Sequence, residues 1–230
     1  MESQFERTEL MLGREAVRKL AAARVAVFGV GGVGGSCVEA LARMGIGAID
    51  IFDNDQVSLS NLNRQAVALH STLGHYKVDV MKERICDINP DCAVGAYRLF
   101  YMPDTADRVD LSVYDYVVDA IDTVAGKLEL IVRAKAAGVR IICSMGAANK
   151  LDPMGFVVTD IHKTEIDPLA RVLRRELRER GIRDVKVVYS KEPPLVNCRP
   201  PASNAFVPPA CGLLLAGEVV KDLISKQRQG

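Results

Sequence analysis

The sequence predicts an α/β fold in which a mainly parallel sheet carries helices on both faces and is extended by C-terminal strands of the same sheet. Three observations lead there. Residues 24–34 read Arg-Val-Ala-Val-Phe-Gly-Val-Gly-Gly-Val-Gly, an apolar strand running into the turn Gly29-x-Gly31-Gly32-x-Gly34. Apolar runs of strand length then alternate with segments of helical period, the pattern of strands joined by crossover helices. Finally, acids close two of those runs, at Asp53-Asn54-Asp55 and at Asp119 and Asp122. Open parallel sheets bind ligands at just these carboxyl ends. Together the three give a Rossmann-like arrangement.

Each element has its own signal. Residues 5–22 read as an amphipathic helix, with Leu10, Val17 and Leu20 near helical spacing. Strand 24–30 leads through the glycines to a helix over 32–44, and strand 47–53 leads to the polar loop Asn61-Leu62-Asn63-Arg64-Gln65. A helix over 76–88 stops before Asn89-Pro90, because proline disfavours helical backbone in the residue preceding it. A short strand at 93–98 and a short helix at 104–110 follow. Strand 115–119 leads to a helix at 124–137 that Gly138 caps, then to strand 139–143. Beyond residue 150 the pattern changes: strand 155–161, a helix from Pro168 to Arg180 with proline in its first turn, strand 185–189, a proline-rich loop at 190–209 and a final helix at 210–226. No repeat or linker interrupts the chain, so the second part extends the first sheet.

A chain of 230 residues is long enough to bury a core without staples. The net charge is +1, from 30 basic and 29 acidic side chains. Global charge therefore favours no partner class, and a nucleic-acid surface has to be a local patch. The six cysteines, Cys37, Cys86, Cys92, Cys143, Cys198 and Cys211, form no C-x-x-C pair, which argues against structural zinc. Cys37 and Cys143 sit in apolar segments and read as small buried hydrophobes. His70, His75 and His162 are not spaced as metal ligands. The amino terminus shows no charged-then-apolar leader, and no apolar run approaches the roughly 18 residues of a membrane span. The expected compartment is the reducing cytoplasm.

The glycines alone serve any dinucleotide fold equally well. They bring backbone N–H groups and a helix dipole to a phosphate. Asp53, about twenty residues further on, suits a ribose hydroxyl, the alternative being a residue that merely closes its strand. A dinucleotide site does not need the polar and cationic set that follows. Asn61, Arg64 and Gln65 belong to a loop above the strand ends, where Arg64 can fork onto phosphate oxygens. Lys77 adds a second, mobile cation, unless it is only a solvated helix start. Asp122 follows strand 115–119, where a carboxylate can share magnesium with substrate phosphates. Asp119 lies nearer the strand interior, and structural and catalytic roles are both open for it. Holding a triphosphate and neutralising its charge requires such a set.

These parts resemble the adenylating domain of the ubiquitin-activating superfamily, which includes the ThiF and MoeB activators of sulfur-carrier proteins. The resemblance rests on Gly29-x-Gly31-Gly32-x-Gly34, on Asp53 and Asp55, on Ser60-Asn61-Leu62-Asn63-Arg64-Gln65, on Lys77 and on Val118-Asp119-Ala120-Ile121-Asp122. It implies a single adenylating domain over 1–230, with an ATP-binding half at 1–150 and a substrate-facing half at 151–230. It also implies activation of a carboxylate: the acid attacks the α-phosphate of ATP, giving an acyl adenylate and pyrophosphate. The glycines, Asp53, Asp55 and Asn61 would bind the nucleotide, Arg64 and Lys77 would act on it, and Asp122 would bind Mg2+. Arg7 matches an arginine that reaches the neighbouring subunit's ATP in this family, which implies a homodimer.

The sulfur-carrier activators usually hold zinc through two C-x-x-C pairs, and this chain has none. It has instead six arginines against two glutamates over 171–183, a local charge of +4. At helical spacing Arg171, Arg174, Arg175 and Arg178 crowd one side while Leu169, Val172, Leu173 and Leu177 form an apolar stripe. This is a candidate phosphate-backbone contact; an ordinary solvated helix explains the pattern as well. With Val185-Lys186-Val187-Val188-Tyr189-Ser190-Lys191-Glu192-Pro193, the stretch is similar to the branch that dehydrates threonylcarbamoyladenosine beside the anticodon of tRNA. That branch implies ATP-dependent cyclisation of the modified base and no enzyme thiol, because the nucleophile is tethered. Cys198 is the alternative acyl acceptor, and Cys211, at a helix start, reads as a packing residue, the alternative being a lowered pKa. The competing reading is an adenylating enzyme for a small carrier protein, with sulfur-transfer proteins as partners.

Overall fold

A computed structural model of the chain describes residues 3–225. Among them, seven strands form one sheet in the order β3-β2-β1-β4-β5-β7-β6. The strands are β1 (Arg24–Phe28), β2 (Ala48–Phe52), β3 (Ala93–Tyr97), β4 (Tyr116–Asp119), β5 (Arg140–Ser144), β6 (Phe156–Asp160) and β7 (Lys186–Ser190). All pair in parallel except β6, which runs antiparallel to β7 at one edge. The two C-terminal strands thus join the sheet, as their patterning predicts.

Strand alternation sorts side chains to two cores. On one face Val25, Val27, Ile49, Ile51 and Val118 pack under α2 (Arg14–Ala22), α3 (Gly32–Arg43), α4 (Lys77–Ile88) and α7 (Val207–Ile224). On the other, Ala26, Phe28, Val117, Cys143 and Val187 pack under α5 (Val124–Ala136) and α6 (Pro168–Glu179). Burial on both faces is what a parallel sheet requires.

Three sequence expectations are corrected. The N-terminal helix is two helices, α1 (Glu6–Leu12) and α2, because Gly13 sits between them with φ 84 and extended ψ, a backbone region nearly reserved for glycine. The segment at 104–110 condenses to a single 3-10 turn, Ala106–Arg108. The last helix begins at Val207 rather than 210, since Pro208 and Pro209 occupy its first turn, where no N–H partner is needed. Residue 226, its expected end, lies outside the described residues.

Candidate active site

The site grows from a backbone contact. Gly29 has φ 89, and a Cβ built on it would lie 2.6 Å from the Ala120 carbonyl oxygen. The glycine turn therefore lies directly on the chain leaving β4. A Cβ on Gly34 would overlap the Gly29 carbonyl. Gly31 precedes α3 without a capping side chain, so the first N–H groups of the helix remain for a ligand. A Cβ on Gly32 would meet Pro208 Cβ at 3.0 Å and Arg64 Cγ at 3.5 Å, and one on Gly31 would lie 3.9 Å from Gln65 Nε2. Thus the turn, the Asn61–Gln65 loop and the start of α7 converge, although they are distant in sequence.

Asp53 braces this turn. Its Oδ2 accepts the Val30 N–H at 2.7 Å and its Oδ1 the Asp55 N–H at 2.8 Å. Burial still pushes its carboxyl above the ordinary range. Lys77 is not a solvated helix start: its side chain is 6% exposed, and its Nζ donates to Asp55 Oδ2 at 2.7 Å. Asn61 is buried, its Oδ1 accepting the Ser58 N–H at 3.0 Å. Arg64 donates from Nη1 to the Ser60 carbonyl and to Asn63 Oδ1 at 2.9 and 2.8 Å, which ties it to its own loop. Gln65 Oε1 is buried beside the glycines with no partner, an acceptor left over for a ligand's donor.

At the end of β4, Asp122 is exposed and forms no ion pair among the described residues. Asp119 is the reverse. It is fully buried and receives Lys127 Nζ at 2.9 Å and the Ile121 N–H at 3.0 Å on Oδ1, while Oδ2 has no partner. The pair and the Ile121 bond give Asp119 a structural role, since they shape the segment carrying Asp122. Sequence reasoning missed Lys127. Its signal was present, since Lys127, Leu130, Ile131 and Ala134 share one helical stripe, and all are buried. No cluster of three metal-ligating side chains occurs among the described residues. A magnesium ion carried on phosphate oxygens needs only one or two carboxylates, so the residues present fit that use.

Other predicted residues lie elsewhere. Arg7 is exposed on α1. Phe5, beside it in sequence, packs near Gly45, just past the far end of α3. A 12-residue helix spans about 18 Å, so Arg7 stands at the opposite end of the sheet from the glycine turn. The arginine helix is divided. Arg174 is partly buried, its Nη1 bonded to the Thr164 carbonyl and hydroxyl, so it does not join an outward basic face. Arg175 pairs with Glu176 at 2.9 Å. Arg171 and Arg178 are exposed and unpaired among the described residues. Cys211 is buried, and burial pushes its thiol up to about 12, which fits the packing role and not a lowered value. Cys198 is exposed in the proline-rich loop, 3.7 Å from Asn149 Oδ1. That loop reaches the site, for Asn63 Nδ2 donates to the Ser203 carbonyl at 3.1 Å.

Two measurements check this geometry. Thiol titration of the folded protein at pH 8 should label Cys86 and Cys198, with all six cysteines reacting only after unfolding; Cys37, Cys92, Cys143 and Cys211 are buried and desolvation raises each of them. Lys127→Met should cost about 3–5 kcal/mol in denaturant unfolding, because it strands a buried carboxylate, and adding Asp119→Asn should recover most of that loss.

Comparison with known proteins shows the family of this chain. The chain is 45% identical to the tRNA threonylcarbamoyladenosine dehydratase of Bacillus subtilis, over 96% of this chain and 94% of that one. It is 42% identical to the enzyme of that name from Escherichia coli, over 76% of this chain and 65% of that one. The crystal structure of E. coli tRNA N6-threonylcarbamoyladenosine dehydratase, TcdA, in complex with ATP superposes with a TM-score of 0.92 at 37% identity, covering 99% of this chain and 96% of that one. The ThiF family model matches residues 5–229, and the chain belongs to the ThiF family.

Proposed function

We propose that the protein is an ATP-dependent enzyme that dehydrates threonylcarbamoyladenosine in tRNA to a cyclic product. The observation that carries the reading is the convergence of glycine turn, Arg64 and Gln65 at an uncapped helix start, in a chain so similar to dehydratases over its whole length. In this reading the threonyl carboxylate attacks the α-phosphorus of ATP. The bond to the bridging oxygen breaks and pyrophosphate leaves. The carbamoyl group of the same side chain then attacks the acyl carbon, AMP departs with one carboxylate oxygen, and a proton is lost. The displacement at phosphorus needs positioning and charge stabilisation rather than covalent help.

The chain's residues take these roles. The N–H groups at Gly31, Gly32 and Gly34 receive phosphate, Asp53 braces the turn and meets the ribose, and Asn61 and Gln65 line the nucleotide. Arg64 and Lys77 exchange their present partners for phosphate oxygens, Asp55 releasing Lys77. Asp122 holds Mg2+, which supplies charge neutralisation on the leaving pyrophosphate. Because Arg7 stands away from this site, its action on ATP requires a second copy, so the enzyme would be a homodimer with shared sites. Arg171, Arg175 and Arg178 would meet tRNA phosphates, with Arg174 holding the helix in place. The single-domain reading of 1–230 fits the one continuous sheet. No helix among the described residues is long and apolar enough to cross a membrane, and a cytoplasmic location suits a tRNA substrate.

Labelled ATP offered with modified tRNA or with a carrier protein ending in Gly-Gly tests the reading. Turnover is expected only with the tRNA; turnover only with the carrier refutes it and favours sulfur-transfer partners. Lys77→Ala should abolish cyclisation while the thermal transition stays in place. Neutralising Arg171, Arg175 and Arg178 together should lower the slope of log affinity for tRNA against log salt by about 3, nearly one unit for each phosphate no longer neutralised.

A further inference from the structure

One side of the sheet is left partly open. α5 and α6 cover the strands β4, β5 and β7 on the Phe28 face. Over β2 and β3 the chain from 98 to 114, together with Arg24 and Asp79, lines a cavity of about 730 Å³. The glycines, Asp53, Arg64, Lys77 and Asp122 do not line it, so the proposed reaction makes no use of it.

A ladder of aromatic rings crosses the sheet into this cavity. Phe28 and Phe52 stack with centroids 4.4 Å apart at 7°, and Phe52 and Tyr97 at 4.7 Å and 10°. The ladder steps from β1 to β2 to β3 and stops at the sheet edge, where Tyr97 is 43% exposed. Gly95 makes room for that ring, since a Cβ there would fall 2.7 Å from Tyr97 Cε2. Three guanidinium groups stand around the ladder. Asp50 holds Arg24 at 2.6 Å, and Asp79 holds Arg98 at 2.5 Å. Arg108, exposed on its 3-10 turn, has no ion-pair partner among the described residues. The Tyr97 carbonyl accepts the Asp53 N–H at 3.1 Å, so the last rung adjoins the nucleotide-binding acid.

We propose that this cavity receives an unpaired base of the RNA substrate, which stacks on Tyr97 as the next rung while its phosphate meets Arg108. The inference rests on the tRNA reading above. Single-stranded RNA is held by aromatic faces and guanidinium planes, and every base presents a π-face to them. The Tyr97 ring is already fixed by Phe52, so stacking on it orders no further side chain. Arg24 and Arg98 are paired internally, which leaves Arg108 as the cavity's cation without an ion pair among the described residues, although Asp110 also lines the cavity. The cavity therefore works by stacking plus a single phosphate, unlike the arginine helix, where charge alone acts. A base seated here lies beside the nucleotide site and helps place the modified neighbour over ATP.

Steady-state kinetics and RNA-binding anisotropy with an anticodon stem-loop carrying the modification test this assignment in wild type, Tyr97→Leu, Tyr97→Phe and Arg108→Gln. Tyr97→Leu should raise KM and Kd for the RNA about tenfold. Tyr97→Phe should behave as wild type, and KM for ATP should stay constant throughout. Arg108→Gln should weaken RNA binding and lower its salt slope by about 1. Unchanged RNA binding in both Tyr97→Leu and Arg108→Gln overturns the proposal. A higher KM for ATP also overturns it, since the cavity would then belong to the nucleotide. If Tyr97→Leu loses its thermal transition, Arg108→Gln decides alone, its exposed turn leaving the fold intact. Wild-type protein that binds the RNA through Tyr97 without dehydrating it counts against the proposed reaction and not against the cavity.

Discussion

Backbone packed against backbone is the constraint on which this molecule is built. The turn after β1 presses on the chain leaving β4, and two missing methyl groups, at Gly29 and Gly34, make the approach feasible. That contact sets the spacing between helix α3, which offers N–H groups, and Asp122, which offers a carboxylate. Asp53 fastens the turn from the other side through Val30. Substitution at the glycines would therefore displace several functional groups at once, although none of them is a glycine side chain.

Around this centre, two buried lysines are each paired with an acid. Lys127 with Asp119 is wholly enclosed, while Lys77 with Asp55 has its lysine inside and its acid outside. The difference suits the roles proposed for them. An enclosed pair is costly to break and serves as scaffold. A pair open on one side can exchange its carboxylate for a ligand. Arg64 is likewise held by weak local acceptors, one carbonyl and one amide, that a phosphate outcompetes.

Much of this was legible in the residues, for identifiable reasons. The alternation of Val25, Val27 and Ile49, Ile51 with their neighbours marks strands buried on two faces, and the elements fell within a few residues of their expected bounds. The parallel-sheet reading set Arg64 above the strand ends, but no local pattern encodes its contact with Gly32 across thirty residues of loop and helix. Gly13 was misread since its neighbours keep helical spacing through the break; a period says which face is apolar, not whether the axis is continuous. Arg174 looked equivalent to Arg171 and Arg178, yet Thr164 lies within its reach, and only the folded chain brings them together. Lys127 was overlooked because an apolar stripe marks a buried face but does not show the acid that lies beneath it.

Under the proposed function, the half-open Lys77–Asp55 contact would also give the nucleotide cycle a direction. Before ATP arrives, an acid of the protein already occupies the ammonium, so an incoming anion must displace a resident rival. A triphosphate, carrying several negative charges, would win that exchange. AMP, bringing a single phosphate, would compete less well with Asp55, so the protein's own carboxylate could reclaim the lysine and help expel the spent nucleotide.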